Sequence, residues 1–401
     1  MTITPTVHGT PAVLGGTPAF PDGLALLRPT LRDLPDLTGR LADILQSGVL
    51  TNGPNVAELE ERVADRLGVA HVIAVASCTS GLALTFQALG VRGNVVMPSF
   101  TFSAGPHAVM WSGGTPVFAD ISPDTLCLDI ASVSERLAGA AAISATHVYG
   151  TPCRSEALQT LANQSGVPLV FDAAHGLGSV RQGVPIGGFG VAEVFSLSPT
   201  KVVVAGEGGL VATNDPGLAR TLRLARNYGN PGNYDCLFPG LNARMSELHA
   251  AVALHSLASL DENVIRRNRL VNEFWDSLGG VRGLRRPGVD PGDVSTYKDL
   301  TVIVDELAFG LSTRQLAAAL DLEGIETRRY FHPPVHAQVA YQHLPRRSLP
   351  VTNAIAPMVL SLPLWSHMSL AQVRGVADAL QRLHVHAPRV RTHVPAQRDA
   401  R

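Results

Sequence analysis

The chain is organised around the stretch Phe195-Ser196-Leu197-Ser198-Pro199-Thr200-Lys201, which runs directly into Val202-Val203-Val204-Ala205-Gly206-Glu207-Gly208-Gly209. An apolar run ends in a short polar turn, and a single lysine then stands against further apolar residues. Loss of water disfavours the ammonium form of such a lysine and lowers its pKa. A neutral lysine amine is a nucleophile for a carbonyl group, which is the chemistry of a Schiff base. The stretch alone leaves open a second interpretation, a surface lysine at the end of a strand.

Outward from this stretch, short apolar runs alternate with segments of helical spacing such as Ser132–Leu137 and Ser155–Ser165. The runs are Val72–Ala76, Asn94–Met97, Pro116–Ala119, Ala141–His147, Pro168–Phe171, Ala192–Leu197 and Gly209–Thr213. Strands that alternate with helices predict an α/β domain, here with a mostly parallel seven-stranded sheet covered on both faces. In such sheets ligands bind at the carboxyl ends of the strands, so the residues just after each run are the candidates for chemistry.

The regions on either side of the predicted sheet complete the domain organisation. About 20 residues rich in Thr, Pro and Gly indicate an N-terminal arm, and helical spacing follows over Leu37–Ser47 and from Val56 to Leu67. After a long helical stretch from Glu247 to Leu278, new strands and helices are predicted at Asp299–Val304, Glu326–Phe331, Ser312–Leu322 and Ser369–Leu383. We therefore predict an arm and a large domain over residues 1–250, a smaller C-terminal α/β domain over 251–386, and a disordered tail over 387–401.

Composition excludes several functional classes. The 32 Lys and Arg residues balance 33 Asp and Glu, which gives no electrostatic reason to expect nucleic acid or anionic membrane as a partner. The four cysteines, Cys78, Cys127, Cys153 and Cys236, have no CxxC spacing, so we expect neither a disulfide framework nor a metal site. The first residues lack the pattern of a secretion signal, and no apolar run approaches the ~20 residues that span a bilayer. We expect a cytoplasmic protein.

Two polar or aromatic features follow the first two strands. Ser77-Cys78-Thr79-Ser80-Gly81 comes directly after the run Val72–Ala76 and opens a helical segment. Free N–H groups and hydroxyl side chains at a helix N-terminus suit a phosphate, although N-capping without a ligand explains the same residues. After Met97, Phe102 could stack on a flat cofactor from a strand-end loop, or could be a core residue.

Two further features follow later strands. Asp172, in Phe171-Asp172-Ala173-Ala174-His175, ends an apolar strand, and an unpaired buried carboxylate there would be costly. It either caps a helix or pairs with a protonated pyridine nitrogen. The other feature is Lys201, with Ser196 at the end of the preceding strand.

The four features together match one cofactor. A phosphate-binding turn, a stacking ring, a carboxylate for a pyridinium nitrogen and a Schiff-base lysine are together the requirements of pyridoxal 5′-phosphate (PLP). A dinucleotide site would instead need GxGxxG after the first strand, and neither that motif in context nor a P-loop is present.

A series of short motifs, in order over most of the chain from about Gly15 to Leu383, carries a family resemblance. They are SGVLTNGP (Ser47–Pro54), SCTSGLAL (Ser77–Leu84), PSFTFSA (Pro98–Ala104), PVFADISPDT (Pro116–Thr125), HVYGTP (His147–Pro152), FDAAHGLG (Phe171–Gly178), FSLSPTK with GEGG (Phe195–Gly209), RNYG (Arg226–Gly229), LNARMSELHAA (Leu241–Ala251) and LSLPL (Leu360–Leu364). The chain resembles the DegT/DnrJ/StrS family of PLP-dependent nucleotide-sugar aminotransferases. This resemblance implies the aspartate-aminotransferase-like fold, PLP fold type I.

The resemblance also implies roles for individual residues. Lys201 would carry PLP, Asp172 would face the pyridine nitrogen, and His175 would lie beside the cofactor. Thr79, Ser80 and Ser196 match the phosphate contacts, and Phe102 matches the aromatic residue that covers the ring. Asn242 matches an asparagine that reaches the phosphate of the partner subunit, which implies a homodimer with shared active sites. Arg244 and His336 match positions that contact the sugar nucleotide; an ion pair at the surface and a loop histidine are the simpler interpretations.

The resemblance is closest to members that transfer an amino group, usually from glutamate, to C4 of a dTDP-4-keto-6-deoxyhexose in natural-product deoxysugar biosynthesis. Two departures bear on this. Cys78 replaces a common glycine in the phosphate turn, and Ser198 replaces a common histidine before the lysine. A 3-keto sugar nucleotide or a keto-cyclitol is the nearest alternative substrate. A sugar dehydratase of this fold has histidine at the lysine position, and a non-catalytic binding or regulatory protein would not need the lysine, the aspartate and the phosphate turn together.

Overall fold

The computed structural model describes residues 9–31 and 34–394. In chain order its helices are α1 (Leu34–Ser47), α2 (Pro54–Leu67), α3 (Cys78–Ala88), α4 (Ala104–Trp111), α5 (Ile130–Ser134), α6 (Ser155–Ser165), α7 (Pro216–Ala225), α8 (Glu247–Leu257), α9 (Leu260–Leu278), α10 (Glu306–Phe309), α11 (Thr313–Leu322), α12 (Pro350–Ile355), α13 (Leu370–Val385) and α14 (Ala387–His393). Its strands are β1 (His71–Val75), β2 (Gly93–Pro98), β3 (Gly114–Ala119), β4 (Ala140–Thr146), β5 (Leu169–Asp172), β6 (Val180–Arg181), β7 (Val184–Pro185), β8 (Ala192–Ser196), β9 (Gly209–Thr213), β10 (Leu284–Arg285), β11 (Leu300–Val304) and β12 (Val359–Leu362).

The central sheet has seven strands in the order β1-β9-β8-β5-β4-β2-β3. Strand β9 runs antiparallel to both of its neighbours, and every other adjacent pair is parallel. Each apolar run predicted from the sequence coincides with one of these strands to within two residues at either end. The predicted mostly parallel, seven-stranded sheet is therefore confirmed.

Two hydrophobic clusters cover the two faces of this sheet. On one face, Leu82 and Phe86 of α3 pack with residues of β1, β2 and β8, and on the other, Leu59 and Val63 of α2 pack with residues of β1, β8 and β9. All four side chains are fully buried, and burial of each contributes about 1.5–3 kcal/mol. Because both faces are covered, the strands appear in the sequence as continuous apolar runs rather than as alternating patterns.

A smaller three-stranded sheet, β10-β11-β12, is packed against α9, α11 and α13. The long helical stretch predicted after Glu247 is two helices, α8 and α9. The strand predicted at Glu326–Phe331 is wrong: Arg328 forms only an isolated bridge to Ser361, and the third strand of the sheet is β12. Beyond Arg328 the chain leaves the sheet: Tyr330 and Phe331 line the cavity described below, and the Phe331 ring stacks on Tyr149 instead of extending the strand.

Both ends of the described chain pack on the smaller unit, which consists of the three-stranded sheet and helices α9, α11 and α13. Leu24, from the predicted arm, is buried in the core of that unit, with Phe20 packed against it. The predicted disordered tail is wrong for its first part, because Ala387–His393 form α14. Ala387 and Val390, one turn apart, are buried in the same core, which gives the helix an apolar contact. Residues 395–401 lie outside the described residues. The domain boundary near residue 250 stays a prediction.

Among the residues that the structure describes, no helix combines the length and the apolar character needed to cross a bilayer.

Candidate active site

A cavity of about 330 Å³ opens at the carboxyl ends of the parallel strands of the central sheet. Its wall includes most of the residues singled out in the sequence: Thr79, Phe102, Asp172, His175, Ser196 and Lys201. These side chains follow four different strands, β1, β2, β5 and β8. The parallel arrangement of those strands is what brings them to one edge.

The first turn of α3 forms one end of the cavity. Ser77 is the N-cap: its Oγ accepts a hydrogen bond from the Ser80 N–H at 3.1 Å, and Ser80 Oγ accepts one from the Ser77 N–H at 3.1 Å. The N–H groups of Cys78 and Thr79 have no acceptor among the described residues. Ser77 therefore caps the helix, which was the simpler interpretation of this sequence. The cap still leaves the N–H groups of Cys78 and Thr79 free to bind an anion, which the helix N-terminus favours.

Two residues decide how open this turn is. Gly209 starts β9 against it, and a Cβ atom there would lie 2.5 Å from the Cys78 nitrogen, so only glycine permits this approach. Ser80, in contrast with Thr79, does not line the cavity, because its hydroxyl group is engaged in the cap. Its predicted contact with a phosphate stays a prediction.

Lys201 lies in the wall of the cavity, in the loop after β8. Burial lowers the pKa of Lys201 to about 8, and the positive charge of Lys298 lowers it as well. Cys78, Asp299 and Asp172 act in the opposite direction. The amine is therefore far closer to neutral at physiological pH than a surface lysine, which is the state that a nucleophile requires.

Asp172 ends β5 and is 4% exposed. Burial raises the pKa of Asp172, while the Ala174 N–H, which donates to Oδ1 at 3.1 Å, and the charge of Lys201 favour the carboxylate. Its Oδ2 atom accepts no hydrogen bond from any described residue. Opposite that oxygen, a cationic N–H would supply the stabilisation that burial removes.

His175 lines the cavity, and its hydrogen bonding indicates which ring nitrogen carries the proton. Its Nδ1 accepts a hydrogen bond from the Tyr149 N–H at 3.2 Å, which leaves the proton on Nε2. Burial, with the charges of Lys201 and Lys298, places the pKa of His175 well below its usual value. The ring stacks on Phe331 at 6.3 Å between centroids. His175 is therefore a neutral hydrogen-bond donor.

Phe102 is a cavity residue rather than a core residue. Its side chain is 58% exposed at the cavity, whereas Phe100, two positions earlier, is fully buried. This alternation on the loop after β2 presents one ring to the cavity. A flat ligand would find an apolar face there.

Besides Ser80, three further predicted site residues do not line this cavity. Arg244 Nη1 donates to Asn227 Oδ1 at 2.7 Å and its guanidinium lies over the Tyr228 ring, while Asn242 bridges to Asn227. His336 borders a separate cavity and accepts at Nδ1 from the Ser99 hydroxyl group at 2.6 Å. Within one chain the structure does not bring these residues to Lys201, and their roles stay predictions.

Three cavity residues were not predicted from the sequence. Lys298, Tyr330 and Phe331 come from the smaller unit and close one side of the cavity. A compositional signal was available for Lys298. Of the 32 Lys and Arg residues only two, Lys201 and Lys298, are lysines, and both line this cavity. Where arginine serves almost every other position, a lysine marks a place that requires its particular chemistry.

The donor set fits PLP. Free N–H groups at the start of α3 suit the phosphate, a buried carboxylate with an unpaired oxygen suits the pyridinium nitrogen, and a lysine of lowered pKa suits the aldehyde. Among the described residues no group of three or more His, Cys, Asp and Glu side chains could hold a metal ion.

Comparison with known proteins agrees with this chemistry. A model of the DegT/DnrJ/EryC1/StrS aminotransferase family matches residues 35–381. The chain is 30% identical over 355 residues to the dTDP-4-amino-4,6-dideoxy-D-glucose transaminase of Escherichia coli, which covers 86% of this chain and 95% of that protein. It is 33% identical over 347 residues to the dTDP-3-amino-3,4,6-trideoxy-alpha-D-glucose transaminase of Streptomyces venezuelae, with 85% and 90% covered.

A solved structure of a similar protein has the same fold. The crystal structure of DesI in the presence of its TDP-sugar product superposes with a TM-score of 0.89 at 39% identity, over 95% of this chain and 97% of that one. The predicted PLP fold type I is confirmed, and with it the enzyme class, a PLP-dependent nucleotide-sugar aminotransferase. The chain belongs to the DegT/DnrJ/EryC1/StrS aminotransferase family.

Proposed function

We propose that the protein transfers the amino group of glutamate to the C4 ketone of a dTDP-4-keto-6-deoxyhexose, giving a dTDP-4-amino-4,6-dideoxyhexose. The observation that carries an amino transfer is the meeting of Lys201, Asp172 and the N-terminus of α3 around one cavity. C4 is supported by the motif forms SCTSGL, PSFTF and FDAAHGLG and by the name of the E. coli relative. A TDP-linked product in the DesI structure supports the nucleotide.

Five of the predicted side chains have a defined task in this proposal. PLP, when bound, supplies an electron sink for carbanion charge. Asp172, held as a carboxylate, keeps the ring nitrogen protonated. Lys201 Nζ takes the proton from the α-carbon of the amino donor and delivers a proton to the sugar carbon that receives the amino group, which its lowered pKa permits near neutral pH. Thr79, Ser196 and the α3 N–H groups hold the phosphate, and Phe102 covers the ring.

Transfer to C3 is the second candidate, and a specific observation favours it. The S. venezuelae relative, at 33% identity, is named for a 3-amino sugar, so relatives of similar identity differ in the carbon named. A keto-cyclitol is a third substrate to include in the experiment. The pathway would in each case be a deoxysugar or aminosugar branch of natural-product biosynthesis.

We further propose a cytoplasmic homodimer with shared active sites. Asn242 and Arg244 lie away from the cavity of their own chain, on a segment with exposed apolar residues: Tyr228, Tyr234, Leu237 and Leu241. Such a patch is typical of a protein interface, and a second copy would place the two polar side chains against its partner's cavity. All four cysteines are free, in keeping with a reducing compartment.

The test of substrate uses purified protein with PLP, glutamate and a panel of keto-sugar nucleotides: dTDP-linked 4-keto-6-deoxy and 3-keto-6-deoxy hexoses, together with a keto-cyclitol. We expect the dTDP-4-keto-6-deoxyhexose to be aminated fastest, with the new C–N bond located by NMR. A panel in which only the 3-keto sugar or the cyclitol reacts would overturn the C4 assignment.

The test of the catalytic residue is Lys201→Ala. We expect loss of the visible absorbance of the bound cofactor and a rate lowered by about 10⁴-fold, because both the covalent attachment and the proton carrier are removed. Lys298→Arg, in the same cavity, serves as the comparison and should keep the absorbance. An unchanged spectrum in Lys201→Ala would contradict the assignment.

A further inference from the structure

Lys298 is a buried cation in the wall of the cavity. Its side chain is 5% exposed, and its Nζ lies 2.8 Å from Asp299 Oδ1 and 5.1 Å from the centre of the Tyr330 ring. It follows Tyr297 at the junction of the two units, where the Lys298 N–H donates to the Tyr149 carbonyl oxygen at 2.9 Å. Both backbone and side chain are therefore held in place. An ammonium group has three N–H donors, and Asp299 accounts for one.

Apart from Lys201, Lys298 is the one cation among the described residues that line the cavity. Among the cavity-lining residues of the described chain there is no arginine, and His175 is neutral. Lys201 itself is committed to the cofactor in the proposed function. A negatively charged group that reaches the reacting centre thus has Lys298 as its one cationic partner among the described residues that line the cavity.

The position of Lys298 selects between the two anions that the proposed reaction brings in. In an amino-acid donor the α-carboxylate is bonded to the carbon whose proton Lys201 removes, so it must lie beside Lys201. In the sugar nucleotide the diphosphate is attached at C1, across the ring from C4. Lys298 lines the same cavity as Lys201 and His175, so it lies near the reacting centre, and its charge lowers the pKa of both groups.

We propose that Lys298 binds the α-carboxylate of the amino donor and thereby selects an amino acid as donor. This inference rests on the proposed transfer from an amino acid. Asp299 and the Tyr330 ring fix the ammonium group, and the carboxylate takes one of its remaining N–H groups in a charge-assisted hydrogen bond. In the protein without cofactor, the same charge disfavours protonation of Lys201.

The test separates the two half-reactions of Lys298→Met and of the wild type. We expect the glutamate concentration for half-maximal conversion of PLP-loaded protein to rise by roughly 10- to 150-fold, the loss of one charge-assisted hydrogen bond. For protein loaded with pyridoxamine phosphate, the Kd of the keto-sugar nucleotide should stay within about threefold of the wild-type value. This is a small change, because a tenfold change in Kd corresponds to about 1.4 kcal/mol. Lys298→Arg, which keeps the charge, should restore part of the glutamate response.

A second donor makes the test specific for the carboxylate. 4-Aminobutyrate is glutamate without its α-carboxylate; the wild type should discriminate strongly between the two, and Lys298→Met should lose that discrimination. Binding of 2-methylglutamate, which has no α-proton, is measured by calorimetry as a readout independent of turnover and should weaken in the variant. If Lys298→Met does not fold, Lys298→Gln is measured in the same way.

Several outcomes would overturn the inference. Unchanged glutamate dependence would do so, as would a loss of sugar-nucleotide binding as large as the loss of glutamate binding, which would assign Lys298 to the diphosphate. A wild type that accepts no amino-acid donor would instead refute the proposed function, and the two failures are thus distinguishable.

Discussion

The pKa of Lys201 depends on opposing effects of its surroundings in the cavity. Burial and the ammonium group of Lys298 lower its pKa, and the carboxylates of Asp172 and Asp299 raise it. The result, a pKa of about 8, lies between that of a surface lysine and neutrality. A modest further change in charge nearby would therefore change the fraction of neutral amine at physiological pH.

This predicts how cofactor attachment depends on pH. Only the neutral amine attacks an aldehyde, so the rate at which apoprotein binds PLP covalently should rise about tenfold per unit below the pKa and level off above about pH 8. The measurement is the growth of the visible absorbance after mixing, from pH 6 to 10 at constant ionic strength.

The comparison is Lys298→Met, in which loss of a nearby positive charge should move the midpoint to higher pH. A wild-type profile that keeps rising to pH 10 would show that Lys201 behaves as an ordinary surface lysine.

At the scale of elements, α2 owes its N-terminus to a residue far along the chain. Its N-cap, Gly53, has no side chain to cap the helix. Glu247, at the start of α8 and 1% exposed, accepts hydrogen bonds from the N–H groups of Gly53, Asn55 and Val56 at 2.7–3.0 Å. A buried carboxylate thus ties α2 to α8 and complements the positive end of the α2 dipole.

We predict that Glu247→Ala lowers the free energy of unfolding by about 2–4 kcal/mol, because the N–H groups of Gly53, Asn55 and Val56 lose their acceptor. Urea unfolding at one fixed protein concentration measures it. Glu247→Gln should lose less, since one amide oxygen remains to accept.

Glu61→Ala is the matched control. Glu61 is an exposed residue of α2, the helix that Glu247 caps, and its replacement should change the free energy of unfolding by no more than about 0.5 kcal/mol. Equal effects of Glu61→Ala and Glu247→Ala would refute the capping role.

At the scale of the whole molecule, the two units are joined at more than one place. Glu323, fully buried in the smaller unit, accepts hydrogen bonds from the N–H groups of Ala12 and Ala19 and pairs with Arg382. The N-terminal segment therefore packs on the smaller unit before the chain enters the larger one. Lys298, Tyr330 and Phe331 return from the smaller unit to complete the cavity. Formation of the site consequently requires both units.

The proposed shared site makes a prediction at this scale. Lys201→Ala and Asn242→Asp homodimers should both be inactive, the second because a carboxylate would face the phosphate. A heterodimer of the two variants, isolated by two different tags, contains one site with both residues intact. It should have about half the activity of the wild-type dimer, as expected for a two-fold symmetric interface.

The heterodimer experiment also tests which subunit provides Asn242. If Asn242 served the cavity of its own chain, no site in the heterodimer would be intact and activity would be absent. A monomeric protein in solution would likewise contradict the proposal.

The strands of the central sheet and the residues that end them were predictable from the sequence. A strand covered on both faces is a continuous apolar run, and a polar residue at its end or within a few residues of it, such as Asp172 or Thr79, lies at the carboxyl edge of the sheet. Lys201 follows the same logic. In these cases the signal and the structure are local to one short segment, and the family motifs reinforce it.

Tertiary structure alone decided the rest. Contacts between segments distant in the chain decide three features. Glu326–Phe331 forms no strand of the smaller sheet, α14 packs on the core beneath that sheet, and Lys298 lines the same cavity as Lys201. Residue type and periodicity report whether a side chain is buried, but not which distant groups surround it. The sequence by itself determined the class of fold and the principal chemistry, and packing determined which side chains, and with what pKa, share the cavity.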